Sequence, residues 1–534
     1  MRGRVVYQIY PRSFNDSNVD GIGDIPGITA RLDYLGDGTT DYLGVNMIWL
    51  SPFYPSPMAD FGYDISDYCN IDPIFGTLED FKTLLHEAHA RNLKIMIDFV
   101  PNHTSDQHPW FAQSSASRGN AKHDWYIWRD PAPDGGPPNN WLSVFGGSAW
   151  QYVEARGQYY MHSFLAAQPD LNWDNPAVRQ AMQRVIRFWL DLGVDGLRVD
   201  AVDWMAKDPK FRNNVPNPDY RRGIDDPYHQ FGEDYNRDGP DRFYYIQQMA
   251  DVIKEYPGRF MVTETYPIRK DIITRYLHIY DNYQADVSAP FNFEGLLLPW
   301  KARDFKAFVD QFQAGLKPDH LPIYVLGNHD RPRIASRIGE AAARTAAMML
   351  LTLPGVAFVY YGDELGLPDT PVPPHRIQDP FEKRVPGLGL GRDPQRSPMP
   401  WTSGPYAGFS KIEPWLPLAP DYTSRNVQSE LADRHSMLAL YRKLIHLRNF
   451  SPMIQYGAYI PLDLDNPHVF GYIREYKGHG LAIFLNFSSK PASFHTNLAR
   501  GALLYSTYSD LEGLPMDLSE ITLRPNEGHV ITLL

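Results

Sequence analysis

The sequence predicts an α/β chain built on a (β/α)8 barrel, a TIM barrel, with an inserted subdomain after the third strand and a C-terminal antiparallel β-sandwich. Three observations predict it. Short apolar runs recur between residues 5 and 360, bounded by turn residues and apolar on both faces, as strands of a buried parallel sheet are. Amphipathic helical periods lie between several of these runs, and strand followed by helix, repeated, implies a parallel sheet. Past residue 455 the pattern changes to short alternating strands, which reads as a small sandwich.

The strand runs are residues 5–10, 47–50, 94–100, 196–199, 260–263, 323–326 and 356–360. The sixth of the eight, the faintest, is placed around 285–287. Eight βα units need about 250 residues, so the span leaves room for insertions. In residues 77–92 the apolar positions Leu78, Phe81, Leu85 and Ala88 share one stripe. In 175–192 Val178, Met182, Val185, Ile186 and Trp189 do the same, behind Asn175 and a helix-starting Pro176. The widest gap separates the third and fourth strands, and its first part, residues 104–172, is rich in Trp, Gly, Pro and Asn. This is the inserted subdomain. Residues 363–425 form a second irregular insertion, dense in Pro, Gly and Arg, followed by a helical run at 431–448. The resulting division is a barrel over 1–103 and 173–455, the insertion 104–172, and a sandwich over 456–534 with strands at 469–475, 480–486 and 529–533.

Composition excludes several function classes. A chain of 534 residues is too long for one small core, and 43% hydrophobic against 21% charged residues is the balance of a packed protein, not a disordered one. The net charge of −12 offers nothing to a polyphosphate, so no nucleic acid partner is expected. Cys69 is the only cysteine, which removes intrachain disulfides and cysteine-ligated metal clusters and fits a reducing compartment. The N-terminal run has no apolar leader, and no stretch reaches the roughly 18 unbroken apolar residues of a membrane span. A cytoplasmic monomer or homodimer without a membrane partner is the expectation. Two motifs are decoys. His86 and His89 stand three apart, which is not the HExxH spacing, and Gly387, Gly389 and Gly391 neither follow a strand nor open a helix.

In a parallel barrel the chemistry sits at the carboxyl ends of the strands. The third strand exits through Asp98, Asn102 and His103. The fourth carries Arg198 and Asp200, two apart and so on one side of the strand. The fifth ends in Glu264 and the seventh in His329 and Asp330. Each alone reads as a cap or a structural ion pair, but several acids on one rim repel, and a fold bears that cost chiefly where a site needs them.

The segments DFVPNH, GLRVDAV, VTETY and LGNHD, in that order, resemble the four signature segments of the α-amylase superfamily of glycoside hydrolases, family 13. QPDLNWDNP at 168–176 is similar to a segment of its oligo-1,6-glucosidase-like members, and YQIYPRSF and FGYDISDY extend the resemblance along the chain. The resemblance implies a retaining, exo-acting α-glucosidase whose substrate is a small α-glucoside. Asp200 matches the nucleophile, Glu264 the acid/base and Asp330 the third acid. Such catalysis needs its two main carboxylates about 5 to 5.5 Å apart, the first ionised beside Arg198 and the second protonated. His103 and His329 match residues that hydrogen-bond the first sugar. Tyr63 and Asp64 match its stacking platform and the binder of its far end. GRDPQRSPMPW at 391–401 resembles the segment with a sugar-binding arginine, taken as Arg396 in preference to Arg392. Ala201, where α-1,6-specific members commonly carry Val, leans toward α-1,4 bonds such as that of maltose. An α-1,6-glucosidase is the alternative, as is glucosyl transfer of the sucrose isomerase or trehalose synthase type.

Asp16, Asn18, Asp20, the Ile22 carbonyl and Asp24 have the alternating oxygen spacing of a calcium loop. The EF-hand reading fails, since its twelfth position is Gly27 where a glutamate is required. The resemblance points instead to the loop after the first barrel strand, which in related α-glucosidases holds a structural calcium or magnesium ion. No organic cofactor is expected.

Overall fold

The computed structural model describes residues 1–36, 42–267 and 271–534. Eight parallel strands form its centre: β1 (Val5–Ile9), β2 (Met47–Leu50), β3 (Lys94–Phe99), β4 (Gly196–Val199), β5 (Phe260–Thr263), β6 (Ser288–Pro290), β7 (Ile323–Val325) and β8 (Val356–Tyr360). Their order is β7-β8-β1-β2-β3-β4-β5-β6, and a parallel bridge from Asn292 to Tyr324 links the end of β6 to β7 and closes the ring. Apart from Lys94 these strands are buried residue by residue, which is why they carry no alternation. The sixth strand begins three residues later than expected. Residues 285–287 form a turn, with the amides of Val287 and Ser288 both donating to the Gln284 carbonyl, and only Ser288–Pro290 pairs with β5.

The helices follow their capping chemistry. Leu78–Ala90 opens on a reciprocal box between Thr77 and Asp80 and buries Phe81, Leu84, Leu85 and Ala88. Pro176–Leu192 opens where the Asn175 side chain accepts the Ala177 amide, and it stops at Gly193 in the left-handed region. The helical run expected at 431–448 is two helices, Val427–Ala432 and Met437–Phe450. Four polar residues, 433–436, break it, and Ser436 caps the second helix through the Ala439 amide. Among the described residues no helix is long and apolar enough to cross a membrane.

Between β3 and β4 the chain rises off the barrel into the helix Pro109–Ala116 and a small antiparallel sheet of Trp128–Arg129, Gln158–Met161 and Trp150–Val153. Bridges from His103 to Asp170 and from Tyr126 to Leu171 zip its outgoing and returning limbs together just above the barrel rim. At the other end of the sequence a six-stranded antiparallel sheet faces the antiparallel pair Ala492–His495 and Glu520–Leu523. Phe484, Phe494, Leu503 and Ile531 fill the space between these two layers.

Candidate active site

The site is assembled around one guanidinium. Arg198 lies on β4 directly beside Asp98 of β3 in the parallel register, and it is fully buried. Its Nη1 donates to Asp98 at 2.8 Å and to Asp200 at 2.5 Å, while its Nη2 meets Glu264 at 2.9 Å. The planar fork therefore holds Asp200 and Glu264 side by side through separate nitrogens. A second donor fixes Glu264: the amide of Ala201, 3.0 Å from Oε2. Ala201 is in the left-handed region at φ 48°, a conformation that turns the backbone N–H toward Glu264 and that a β-branched side chain resists.

Three carboxylates thus share a single positive charge. Burial pushes Asp98 up to about 6. Burial pushes Asp200 well above the usual carboxylate range as well, because Glu264 and Asp98 add to it and the attraction of Arg198 offsets only part.

Asp200 and Glu264 open into a cavity whose other walls are Asp60, Tyr63, His103, Phe145, Phe164, Asp330 and Arg392. Tyr63 stacks on His329, rings 5.4 Å apart and 2° from parallel, and its hydroxyl reaches both Asp98 and His329 Nε2. Burial pushes His103 down to about 4 and His329 down to about 3, so both imidazoles are neutral at pH 7. Asp330 contrasts with Asp200. Burial would raise it, but His329 and the guanidinia of Arg392 and Arg396, at 3.3 and 3.1 Å, outweigh that and hold it well below the usual range.

Of the residues singled out from sequence, Asp200, Glu264, Asp330, Tyr63 and His103 line the cavity, and Arg198 and His329 support it from behind. Two expectations are corrected. Asp64 turns away from the cavity, its oxygens accepting Ser56 Oγ and the amides of Ala59 and Asp60, and burial pushes it up to about 6. Its neighbour Asp60 is the acid in the wall, paired with Arg392 at 2.6 Å and bonded by Gln168. Arg396 lies behind Asp330 with its Nε on the His329 carbonyl, whereas Arg392 faces the cavity and ties Asp60, Asp330 and Asp379 together. Sequence reasoning also passed over Phe145 and Phe164. The signal was the aromatic richness of residues 104–172, which does not say which rings point inward.

The loop Asp16–Asp24 stands apart from this site. Asp16 accepts the amides of Val19 and Gly21 and the Ser410 hydroxyl. Asp24 accepts from Ser17, Asn18 and Gly27 and so caps the helix Ile25–Thr29, and Asp20 accepts the Ile22 amide. The loop's carboxylates are taken up by donors of the loop itself and by Ser410 and Gly27, and among the described residues no three acidic, histidine or cysteine side chains gather as a metal-holding group. A cation drawn to this oxygen set has to compete with those donors.

Comparison with known proteins agrees with this geometry. A family model described as α-amylase, catalytic domain, matches residues 8–457. The oligo-1,6-glucosidase of Parageobacillus thermoglucosidasius is 38% identical over 98% of this chain and 97% of its own. An α-glucosidase of Apis mellifera is 41% identical over 91% of this chain and 85% of its own. Among solved structures, the α-glucosyl transfer enzyme XgtA superposes with a TM-score of 0.92 at 39% identity, covering 100% of this chain and 99% of that one. A match that runs through the whole barrel and every strand end just described places the chain in the α-amylase family of glycoside hydrolases.

Proposed function

We propose that this enzyme is a retaining exo-α-glucosidase that releases glucose from the non-reducing end of short α-glucosides, α-1,4-linked ones such as maltose above all. The observation that carries the reading is the Arg198 fork, which sets Asp200 and Glu264 together in a cavity closed on its far side by the Arg392–Asp60 ion pair. Asp200 attacks the anomeric carbon and the glycosidic C–O bond breaks while Glu264 gives its proton to the departing oxygen. Glu264 then takes a proton from water, whose oxygen displaces Asp200 from the sugar. Asp330, kept ionised by its arginines, favours the positively charged transition state. Phe145 and Phe164 cover the sugar's apolar faces.

The linkage preference rests on Ala201: a small side chain beside the nucleophile, at a backbone angle that valine tolerates poorly. The names of the relatives divide on this point, one an oligo-1,6-glucosidase and another an α-glucosidase. The test is a product time course on maltose, isomaltose and sucrose, followed by proton NMR. Glucose leaving first as the α-anomer, and fastest from maltose, is the expected result; β-glucose first, or no turnover of any of the three, overturns the reading. Glucosyl transfer is the second reading, favoured by the likeness to XgtA, and it predicts disaccharide products outnumbering glucose.

The loop Asp16–Asp24 we assign, on its oxygen spacing, to a structural calcium or magnesium ion with no part in the chemistry. A melting temperature raised by millimolar calcium supports this, and one indifferent to calcium and chelator alike overturns it. A reducing, cytoplasmic setting is proposed on the single, half-buried Cys69. A monomer or homodimer is the assembly proposed.

A further inference from the structure

We propose that Gln8 is a positioning residue that fixes the tautomer of His329, keeping Nδ1 bare and the ring's one proton on Nε2, toward Tyr63 and Asp330. The argument runs inward from both ends of a hydrogen-bond chain. At the outer end, Asp98 already takes Arg198 and the Trp49 indole N–H, and Oδ2 also receives the Tyr63 hydroxyl at 3.1 Å. A carboxylate only accepts, so Tyr63 spends its single proton there. Toward His329, 2.6 Å away, the Tyr63 oxygen can then only accept, and Nε2 must carry the hydrogen. Asp330 Oδ2, 3.3 Å from the same nitrogen, asks for the same thing.

At the inner end, Gln8 projects from the middle of β1, buried, with its Nε2 2.8 Å from His329 Nδ1 and 3.1 Å from Ser51 Oγ. Among the described residues its Oε1 has no partner. Turning the amide over would put a carbonyl oxygen on Nδ1 and leave the NH2, with two donors, where no described residue accepts. The orientation that orphans one acceptor is the cheaper one, and it aims an N–H at Nδ1. Both ends therefore select the same tautomer. The ring has no freedom to trade it by rotating, since Tyr63 and Tyr10 stack on either side and Trp49 meets its edge. Burial, which keeps the imidazole neutral, agrees with a single proton. Gln8 touches no substrate: it works by deciding which nitrogen of His329 can donate beside Asp330.

The experiment labels the histidines of the full-length protein with 15N and records two-bond proton–nitrogen correlations at pH 7, with His329 assigned by its loss in His329→Gln. The expected spectrum shows a pyrrole-like Nε2 and a pyridine-like Nδ1. In Gln8→Glu an acceptor replaces the donor, so Nδ1 gains a proton, and turnover of an aryl α-glucoside falls about 10- to 100-fold with the fold intact by circular dichroism. In Gln8→Met neither tautomer is favoured and both appear. A wild-type ring protonated on Nδ1 overturns the proposal, as does a Nε2–H spectrum unchanged in both variants. If the variants do not fold, the wild-type spectrum decides alone. The turnover arm rests on the α-glucosidase reading, whereas the spectrum does not. A wild-type protein inert on every glucoside rejects that reading and leaves the tautomer to be judged by NMR.

Discussion

Asp200 is the clearest case of a residue that costs the fold what it offers the site. Its folded pKa lies above the unfolded value of about 3.9, so the unfolded chain gives up this proton more readily. The sign follows: stability falls as pH rises from about 4 through the folded pKa, and the deficit is complete above it. Asp200→Asn removes the deficit. It is expected to abolish turnover by at least about 10⁴-fold while raising the melting temperature at pH 7 by about 1–4 °C, a gain that vanishes near pH 4. Calorimetry across pH checks it, and a lower melting temperature at pH 7 refutes it. Asp60 and Asp64 give a second contrast. Asp60 faces the cavity and Arg392, so Asp60→Asn should raise KM about tenfold or more. Asp64 only ties down the turn at residues 56–60, so Asp64→Asn should leave KM within about twofold and lower the melting temperature, because one of its oxygens would become a donor facing a donor. Kinetics on maltose with both variants separates the two roles.

At the scale of the element, what was legible depended on whether a pattern is local. The buried strands declare themselves through continuous apolar runs, and the polar residues that end those runs stand in recognisable segments, so Arg198, Asp200, Glu264 and Asp330 could be placed before any coordinates. The sixth strand could not, because three residues, Ser288–Pro290, are too few to show a period and the turn before them is as apolar as they are. The split of the 431–448 run was visible in principle, as Asp-Arg-His-Ser is a poor helix interior and a good cap. Asp60, Arg392, Phe145 and Phe164 come from loops, where long-range packing and not local periodicity chooses which side chain points inward. Capping is the most transferable local rule here. Asn175→Ala removes the acceptor for the Ala177 amide at the head of a 17-residue helix, about 25 Å long and packed on the barrel, and should cost about 1 kcal/mol of stability with kcat/KM unchanged. Urea unfolding with a parallel activity assay reads both.

For the whole molecule, the question is how a site made from residues 60 to 392 stays aligned when its parts belong to different strands and loops. The barrel supplies the common frame, and its back is braced from beyond it. Arg448, on the helix Met437–Phe450, donates to the carbonyls of Leu351, Leu353 and Gly355 just before β8. Arg474, in the C-terminal sheet, donates to Thr352 in the same turn and to Ile454 and Gly457. Both guanidinia are buried, and burial pushes them down to about 9 and about 10, still charged at neutral pH. Among the described residues no acid is bonded to either, so carbonyl oxygens hold the charge, and losing a donor leaves oxygens unpaired in a dry interface. Arg474→Met keeps the volume and removes three bonds. The expected outcome is a loss of about 3–5 kcal/mol, seen as a lower melting temperature and faster thermal inactivation, with kcat and KM at 25 °C within about twofold of the parent. A brace of this kind acts on lifetime, because the carbonyls it holds lie at the opposite end of β8 from the cavity. Unchanged melting together with a shifted KM would mean that the C-terminal sheet reaches the site by another route.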